Sequence, residues 1–441
     1  MRSTVCPATR PSASKPEVFS KPLGHAASGE SNQGESLEDR HMKTIEDLNV
    51  SGKTVFIRAD FNVPLDSQQQ IMDDARIKAV LPTLQNALSR SARVILASHL
   101  GRPKGQVKDE FSLKPVARRL GEMLGMDVVM APDCIGEAVA SLAKSLGDGR
   151  VLLLENLRFH KEEQQNDRDF GKALAGLCDI YINDAFAVCH RANASVVAIT
   201  EHVPVLGAGL LLKKELDFFN KAMKNPVRPL VAVVGGAKIS SKLAALKNML
   251  QHVDKIIVGG AMANTFVRGA GHDVGQSMIE AELVDITMEV VKQAKSRGVK
   301  FYLPVDFVVA DRLAEDADHR NVPVQEVPTE WLAVDIGPAT SHLYAEVLAS
   351  AGTVIWNGPM GVFEMDPFSR GTFDLARAIA SSEATSIIGG GETGSAVQKA
   401  GVADQMTYIS TGGGAFLTLM EGKQLVAVAA LGAPEAVVKS S

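Results

Sequence analysis

The chain has 441 residues, enough for two or three domains of about 100–200 residues each. Hydrophobic residues make up 46% and charged residues 22%, which is typical of a globular protein with a sizeable core. No apolar run approaches the about 20 residues of a membrane span, and the formal net charge of −5 argues against a general nucleic-acid binder. We therefore expect partners other than nucleic acid or a membrane.

The four cysteines are Cys6, Cys134, Cys178 and Cys189, and they form no CxxC pair and no zinc-ligand spacing. This usage is typical of reduced thiols in a cytoplasmic protein, so we expect a cytoplasmic location. Cys178 and Cys189 are predicted to be packing residues.

Residues 1–41 differ in composition from the rest of the chain. They are rich in Ser, Gly and Pro and lack apolar periodicity, which predicts a disordered extension. Acidic residues within 30–39 argue against a transit peptide, because such peptides are poor in acid. A transit peptide, a tag remnant and a misplaced start all remain open.

From Met42 onward, strand-like apolar runs alternate with helical patterns. The predicted strands in chain order are 55–58, 94–98, 128–132, 151–154, 180–184, 230–234, 256–259, 301–310, 354–357, 386–388 and 408–410. The predicted helices are 76–90, 113–125, 169–178, 210–229, 240–253 and 281–298. Such alternation predicts parallel sheets with crossover helices.

The helical stretch 210–229 is charged, ends in two prolines and lies near the middle of the chain, so we interpret it as a connector helix. The fold class is then α/β, with two doubly wound, Rossmann-like parallel-sheet domains and a cleft between them. The predicted domains are 42–209 and 230–424, followed by a tail, 425–441. In open parallel sheets ligands lie beyond the carboxyl ends of the strands, so both ligand sites should face this cleft.

Strands of the first half end in segments that carry polar and basic side chains. They include Asp60, Asn62, Arg76, His99, Arg102, Arg158 and Arg191. The arginine guanidinium binds carboxylate and phosphate through paired hydrogen bonds. The pattern predicts a local site for a small acidic substrate, such as a triose with a carboxylate and one or two phosphates.

Strands of the second half end in glycine, which lets backbone N–H groups approach the phosphates of a nucleotide. The GGGETG segment at 389–394 matches G-x-G-x-x-G, but the next strand closes in TGGGA rather than the acidic residue of a nicotinamide site. The P-loop pattern is absent from the sequence. In GGAKISSK, at 235–242, Lys238 and Lys242 are spaced i, i+4, which predicts two ammonium groups on one helix face.

Eight motifs in this order resemble the phosphoglycerate kinase family, from about Met42 to Lys423. They are RADFNVP at 58–64, SHLGRP at 98–103, ENLRFHKEE at 155–163, NDAFAVCHR at 183–191, GGAKISSK at 235–242, WNGPMGVFE at 356–364, GGGET at 389–393 and STGGGA at 410–415. The resemblance implies two domains that close about a hinge. It also implies reversible transfer of the acyl phosphate of 1,3-bisphosphoglycerate to MgADP, giving 3-phosphoglycerate and MgATP.

The resemblance also implies roles for individual residues. The glycerate would be held by Asp60, Phe61, Asn62, Arg76, His99, Leu100, Gly101, Arg102, Arg158 and Arg191. The nucleotide would be held by Lys242, Glu364, Gly390, Gly391, Glu392 and Thr393. Glu364 would bind the ribose, and Glu392 would reach the Mg²⁺ of the nucleotide. We predict that Arg76 and Lys238 contact the phosphoryl group in transfer, and that the enzyme is a monomer.

Several residues depart from the family pattern. Glu392 stands where the family usually has Asp, and Ala333 stands where a glycine usually lines the adenine pocket. Ala187-Val188 replaces the usual Gly-Thr, and Phe416 replaces a smaller residue. In the tail, Val426-Ala427 replaces a Pro-Gly. Two other functions therefore stay open beside an active kinase. One is an impaired homologue kept for binding or regulation, and the other is a nicotinamide oxidoreductase that uses the GGGETG segment. Glycolytic and carbon-fixing uses of the reaction also stay open.

Overall fold

The computed structural model describes residues 42–432. The predicted extension, 1–41, and residues 433–441 of the predicted tail lie outside the described residues. Within them, two six-stranded parallel sheets confirm the predicted α/β fold class, and none of the helices is long and apolar enough to cross a membrane.

The first sheet is built from the strands that precede the connector helix. They are β1 (Thr54–Arg58), β2 (Arg93–Ala97), β3 (Val128–Met130), β4 (Val151–Leu153), β5 (Ile180–Asn183) and β6 (Val205–Ala208), in the order β3-β4-β2-β1-β5-β6. Its helices are α1 (Ala75–Ser89), α2 (Lys114–Leu124), α3 (Glu137–Ser145), α4 (Lys161–Gln164) and α5 (Arg168–Ala175). Phe56 and Ile57 of β1 are both buried, and they belong to core clusters on opposite faces of the sheet. Strands covered on both faces explain the continuous apolar runs in the sequence.

The second sheet has the order β15-β14-β13-β7-β8-β9. Its strands are β7 (Leu230–Val234), β8 (Lys255–Val258), β9 (Lys300–Tyr302), β13 (Thr353–Asn357), β14 (Thr385–Gly389) and β15 (Tyr408–Ile409). Its helices are α7 (Leu243–Met249), α8 (Met262–Gly269), α9 (Val284–Ser296), α10 (Pro338–Ala349), α11 (Arg370–Ala380), α12 (Gly391–Lys399) and α13 (Gly413–Met420). We call the first sheet with its helices the first lobe, and the second sheet with its helices the second lobe.

The prediction of one continuous strand over 301–310 is wrong. The chain leaves β9 before Pro304 and forms β10 (Asp306–Ala310) in a separate antiparallel sheet with β11 (His319–Pro323) and β12 (Leu332–Ile336). Proline cannot donate to a strand ladder, and the Oγ1 atom of Thr340 accepts hydrogen bonds from the backbone N–H groups of Val305 (3.0 Å) and Asp306 (3.1 Å) instead. Phe307 of β10 and Ala333 of β12 line a cavity in the second lobe, which is described below.

Helix α6 (Leu210–Lys224) follows the first sheet and contacts both lobes. Asp184, at the end of β5, accepts backbone hydrogen bonds from Leu211 (2.9 Å) and Leu212 (3.1 Å) in the first turn of the helix. Farther along α6, the buried carboxylate of Glu215 accepts hydrogen bonds from the backbone N–H (2.7 Å) and the hydroxyl (2.8 Å) of Thr411 in the second lobe. One helix is therefore hydrogen-bonded to both lobes, as a connector requires.

Helix α14 (Val426–Ala430) brings the start of the predicted tail onto the first lobe. The backbone N–H of Ala427 donates to the carbonyl of Cys189 at 3.1 Å, and Ala427 and Val428 are buried. Cys134 and Cys189 are buried free thiols, and Cys178 is a half-buried one.

Stability should depend on pH through Asp184. Burial raises the pKa of this carboxyl to about 7, whereas an unfolded Asp titrates near pH 4. The folded state therefore holds an extra proton between about pH 4 and pH 7, and stability should fall as the pH rises through that window. Urea unfolding measures the free energy of unfolding at pH 5 and at pH 8. The decrease in this free energy from pH 5 to pH 8 should be smaller for Asp184→Asn than for the wild type, by on the order of a few kcal/mol. The exposed control Asp404→Asn should keep the wild-type loss, and an equal loss in all three proteins would contradict the prediction.

Candidate functional site

A cavity of about 260 Å³ opens at the carboxyl edge of the first sheet, and we call it the arginine pocket. It is lined by Asp60, Asn62, Arg76, His99, Gly101, Arg102, Arg158, Ala187, Val188, His190, Arg191, Thr411, Gly413 and Gly414. Eight of the ten predicted glycerate residues are among them. The other two, Phe61 and Leu100, are buried beside the pocket. The structure thus brings together side chains that follow four different strands.

Hydrogen bonds hold the pocket residues in place. Arg76 Nη1 lies 2.8 Å from Asp60 Oδ2. Asn62 Oδ1 accepts the backbone N–H of Gly101 at 2.8 Å, and Arg158 Nη1 donates to the Gly101 carbonyl at 2.7 Å. Loops from β1, β2 and β4 are therefore tied together around one opening.

Arg58 lies buried behind the arginine pocket, next to His99, and it was not predicted as a site residue. Its side chain is fully buried at the end of β1, where Nε donates to Ser195 Oγ at 2.8 Å and Nη2 lies 3.8 Å from Glu163 Oε1. Nη2 also lies 3.4 Å from His99 Nδ1. A signal was present, because Arg58 begins the RADFNVP motif, but burial cannot be read from one residue.

The pocket has excess positive charge. Burial lowers the pKa of Arg158 to about 10, with help from Arg58 and Arg191, so its guanidinium stays charged at neutral pH. Burial also lowers the pKa of His99 well below 6.5, so this imidazole is neutral. Burial acts to raise the pKa of Asp60, but the surrounding positive charge more than offsets it and the pKa is lowered. Nε of Arg158 is buried and has no hydrogen-bond partner among residues 42–432. Buried donors are normally hydrogen-bonded, so this group is a candidate donor to a bound anion.

A second cavity, of about 240 Å³, lies in the second lobe, and we call it the glycine pocket. It is lined by Gly236, Ala237, Gly260, Ala261, Asn264, Phe307, Ala333, Val334, Asp335, Pro359, Met360, Gly361, Val362, Glu364 and Glu392. Gly260 has a φ of +66°, and a Cβ atom there would lie 2.5 Å from the Gly236 nitrogen. Glycine is therefore required where these two turns meet.

The predicted phosphate turn lies between β14 and α12. Gly390 has a φ of +103°, and helix α12 begins at Gly391, so its first N–H groups are available to an anion. Asn357 Nδ2 donates to the Gly389 carbonyl at 2.8 Å, and Thr393 Oγ1 accepts the Gly358 N–H at 2.8 Å. These bonds fix the turn against the end of β13.

The prediction that Lys238 and Lys242 share a helix face is wrong, because α7 begins only at Leu243. Lys238 is exposed, whereas the Lys242 ammonium is partly buried and donates to the Asn357 carbonyl at 3.1 Å and to the Asn357 side chain. Burial lowers the pKa of Lys242 to about 8, and Glu392 acts in the opposite direction. The Lys242 ammonium is therefore held in place by Asn357, whereas the Lys238 ammonium is exposed to solvent.

A cleft of about 620 Å³ runs between the arginine pocket and the phosphate turn. Asn62 and Arg76 line both this cleft and the arginine pocket, and Gly390 and Gly391 of the phosphate turn line its other side. Thr411, Gly413 and Gly414 of the second lobe also line the arginine pocket, a role that the sequence did not predict. The arginine pocket therefore opens into a cleft that the phosphate turn of the second lobe also lines.

The sequence profile of the phosphoglycerate kinase family matches residues 45–423. The chain belongs to the phosphoglycerate kinase family. The phosphoglycerate kinase of Desulfotalea psychrophila is 56% identical over 390 residues, which cover 88% of this chain and all of that protein. That of Citrifermentans bemidjiense is 54% identical over 392 residues, 89% of this chain and 98% of that protein.

Solved structures agree with this membership. The phosphoglycerate kinase of Coxiella burnetii has a TM-score of 0.79 at 43% identity, covering 89% of this chain and 99% of that one. The enzyme of Pyrococcus horikoshii has a TM-score of 0.79 at 33% identity, covering 89% and 98%. The predicted resemblance to the phosphoglycerate kinase family is thereby confirmed, and its members are phosphotransferases.

The departures from the phosphoglycerate kinase pattern lie at pocket walls and lobe contacts. Ala333 lines the glycine pocket, and Ala187 and Val188 line the arginine pocket. Phe416 is buried, packs edge-on against Phe219 of α6 at 5.5 Å between ring centroids, and occupies the space beside Gly389. Glu392 is exposed in the first turn of α12.

Proposed function

We propose that this chain transfers the acyl phosphate of 1,3-bisphosphoglycerate to ADP, reversibly, in glycolysis or gluconeogenesis, with glycerate in the arginine pocket and nucleotide in the glycine pocket. The observation that carries this assignment is the cleft, which Arg76 lines from the first lobe and Gly390 and Gly391 line from the second. An anion bound at one wall would face an anion bound at the other. In-line phosphoryl transfer requires its two reactants to face each other across one opening, as this cleft would allow.

The arginine pocket is proposed to hold the glycerate by charge and by shape. Arg102, Arg158 and Arg191 would bind carboxylate and phosphate oxygens, because guanidinium groups pair with both in bidentate fashion. Asp60 and Asn62 would accept hydrogen bonds from the substrate hydroxyl. His99 is neutral and buried against Asp60, so it would orient that carboxylate and donate or accept without adding charge.

The second lobe is proposed to hold the nucleotide. Glu364 would bind the ribose hydroxyls, and the N–H groups of the turn at Gly390, Gly391 and Thr393, together with Lys242, would bind the phosphates. The donor set fits Mg²⁺, because the exposed Glu392 carboxylate is the hard oxygen ligand that this ion prefers. Mg²⁺ bound to the nucleotide would neutralise charge on its phosphate oxygens.

Transfer needs no covalent protein intermediate, so catalysis would rest on positioning and on stabilising charge. Arg76 from the first lobe and Lys238 from the second would contact the phosphoryl group in transfer. Closing of the lobes would bring these donors together and exclude water, which suppresses hydrolysis. We also propose a monomer, because one chain supplies the walls of both pockets, and a cytoplasmic location, because Cys134, Cys178 and Cys189 are free thiols.

A coupled assay tests the proposal and separates it from the alternatives. Purified protein would receive ATP, Mg²⁺ and 3-phosphoglycerate, and formation of the acyl phosphate would be followed. Turnover at a rate typical of enzymes, at least about 1 per second, is expected. Binding of both ligands without turnover would favour an impaired homologue. Binding of a nicotinamide dinucleotide in preference to ADP would favour the oxidoreductase.

Glu392→Asp should change the metal requirement. Mg²⁺ demands near-ideal octahedral geometry, and Glu is one methylene longer than the Asp usual in the family, so the shorter side chain should bind the nucleotide metal more tightly. We expect the Mg²⁺ concentration for half-maximal activity to fall by about two- to tenfold. The control Glu421→Asp, at the end of α13, should not alter it. An unchanged or higher Mg²⁺ requirement in Glu392→Asp would contradict this role.

A further inference from the structure

Three side chains with different metal-binding atoms meet on the first lobe, away from both pocket walls. Asp133 and Cys134 follow β3, and His160 follows the loop after β4, the neighbouring parallel strand. One carboxylate oxygen, the Sγ atom and one imidazole nitrogen all lie within 4.8 Å of one another. Spacing in the sequence did not predict this group, because the residues come from two loops that only the sheet brings together.

Of the two separations that involve Oδ1 of Asp133, one equals that of a tetrahedral metal site and the other is shorter. Sγ of Cys134 lies 3.5 Å from Oδ1 of Asp133, and Nε2 of His160 lies 2.7 Å from the same oxygen. Around zinc, with Zn–S of about 2.3 Å and Zn–O or Zn–N of about 2.0 Å, the sulfur–oxygen and nitrogen–oxygen separations are about 3.5 and 3.3 Å. The first already matches, and the second would need to open by about 0.6 Å.

Accessibility favours a metal that enters from solvent. The Cys134 thiol is buried, whereas the side chains of His160 and Asp133 are 25% and 47% exposed. The sulfur therefore forms the inner wall and the other two groups form the rim. In the metal-free site the Cys134 thiol donates to Oδ1 of Asp133, so it carries its hydrogen.

We propose that Asp133, Cys134 and His160 form a binding site for a thiophilic divalent cation of the zinc type, with water as a fourth ligand. On binding, the S–H bond breaks, its proton leaves to solvent and a metal–sulfur bond forms, with no change of oxidation state. The ring hydrogen of His160 moves from Nε2 to Nδ1 by exchange with solvent, so the imidazole stays neutral and its Nε2 lone pair binds the metal. Thiolate and imidazole are poor ligands for Mg²⁺, so this site is distinct from the proposed nucleotide metal.

The site lies next to a segment that lines the arginine pocket. His160 lies two residues after Arg158, and the backbone N–H of Glu155 donates to the Asp133 carbonyl at 3.3 Å. Opening the contact between His160 and Asp133 would therefore move the segment that carries Arg158. We expect the bound metal to raise KM for 3-phosphoglycerate several-fold and to leave KM for ATP unchanged. This coupling, unlike the metal site itself, rests on the proposed glycerate role of Arg158.

Cobalt titration of the full chain without nucleotide tests the site independently of activity. Tetrahedral Co²⁺ bound to a thiolate gives a sulfur-to-metal charge-transfer band and intense visible bands. We expect one equivalent of Co²⁺ to produce them, Zn²⁺ to abolish them and excess Mg²⁺ to leave them unchanged. Cys134→Ser should lose the charge-transfer band, and His160→Gln, at the more exposed rim, should weaken Co²⁺ binding by at least about tenfold.

Two cysteine controls make the result specific. Cys6→Ser and Cys178→Ser should keep the wild-type spectrum, and circular dichroism should show that each variant is folded. Absence of the bands in the wild type, or their survival in folded Cys134→Ser and His160→Gln, would overturn the site. A KM for 3-phosphoglycerate that Zn²⁺ leaves unchanged would overturn the coupling alone. If the metal-free wild type showed no turnover in the coupled assay, the failure would lie in the proposed function instead.

Discussion

Replacing Arg76 with alanine should lower kcat by about 10²–10³, the usual loss when one charge-stabilising donor is removed from a transition state. Arg76 is placed for this role because its guanidinium is partly exposed in the cleft and is held by Asp60 at 2.8 Å. Its contact would form with the phosphoryl group in transfer rather than with the nucleotide. The Kd of MgADP should therefore change by less than about twofold. Steady-state kinetics and calorimetric titration measure the two effects separately.

Lys144→Ala is the control for Arg76. Lys144 lies in the last turn of α3 in the same lobe, is exposed, and lines neither the arginine pocket nor the cleft, so its loss should leave kcat near the wild-type value. Arg76→Lys keeps the charge but loses the planar fork, and we expect an intermediate kcat. If Arg76→Ala kept kcat within a few-fold of the wild type, Arg76 would not contact the transferring group.

Lys238→Ala should produce a similarly large loss of kcat with almost no loss of stability. Lys238 is exposed beside the glycine turn of the second lobe, and surface substitutions usually change stability by less than about 0.5 kcal/mol. A fall in kcat of about 10²-fold or more is expected, because the ammonium would stabilise charge on the phosphoryl oxygens during transfer. The thermal midpoint should stay within about 2 °C of the wild type.

Lys247→Ala is the control for Lys238, since Lys247 is an exposed lysine on helix α7 of the same lobe. It should keep both kcat and stability. Lys242→Ala should behave differently from both, because Lys242 is partly buried and bound to Asn357, so its loss should weaken nucleotide binding and lower stability. If Lys238→Ala kept the kcat of the wild type, Lys238 would not contact the phosphoryl group in transfer.

The fold was predictable because strands of a buried parallel sheet form continuous apolar runs in the sequence. The run of β7, Leu230–Val234, is apolar and buried at every position, since both faces of the sheet are covered. The antiparallel sheet was missed for a local reason. The segment 301–310 is apolar apart from Asp306, and the break at Pro304 becomes clear only when β10 is seen to pair with β11 and β12.

The candidate site was predictable where chemistry follows a strand directly, as with Asp60 and Arg158. Contributions that depend on tertiary packing were not predictable. Arg58 resembles any strand-end arginine until its burial is known, and Lys238 and Lys242 fit a helix spacing that the chain does not adopt. The approach of His160 to Cys134 depends on the register between β3 and β4, which no local pattern encodes. The predicted domain bounds and the roles of the site residues stay predictions.

The division of ligands between the two lobes is best tested by calorimetric titration of two variants with two ligands. Arg158→Ala should weaken 3-phosphoglycerate binding by about 10- to 100-fold, the effect of one lost charge-assisted hydrogen bond, and leave the Kd of MgADP unchanged. Glu364→Ala should weaken MgADP by about tenfold or more and leave 3-phosphoglycerate unchanged. If Arg158→Ala weakened MgADP instead, or Glu364→Ala weakened 3-phosphoglycerate, the assignment of the two pockets would be contradicted.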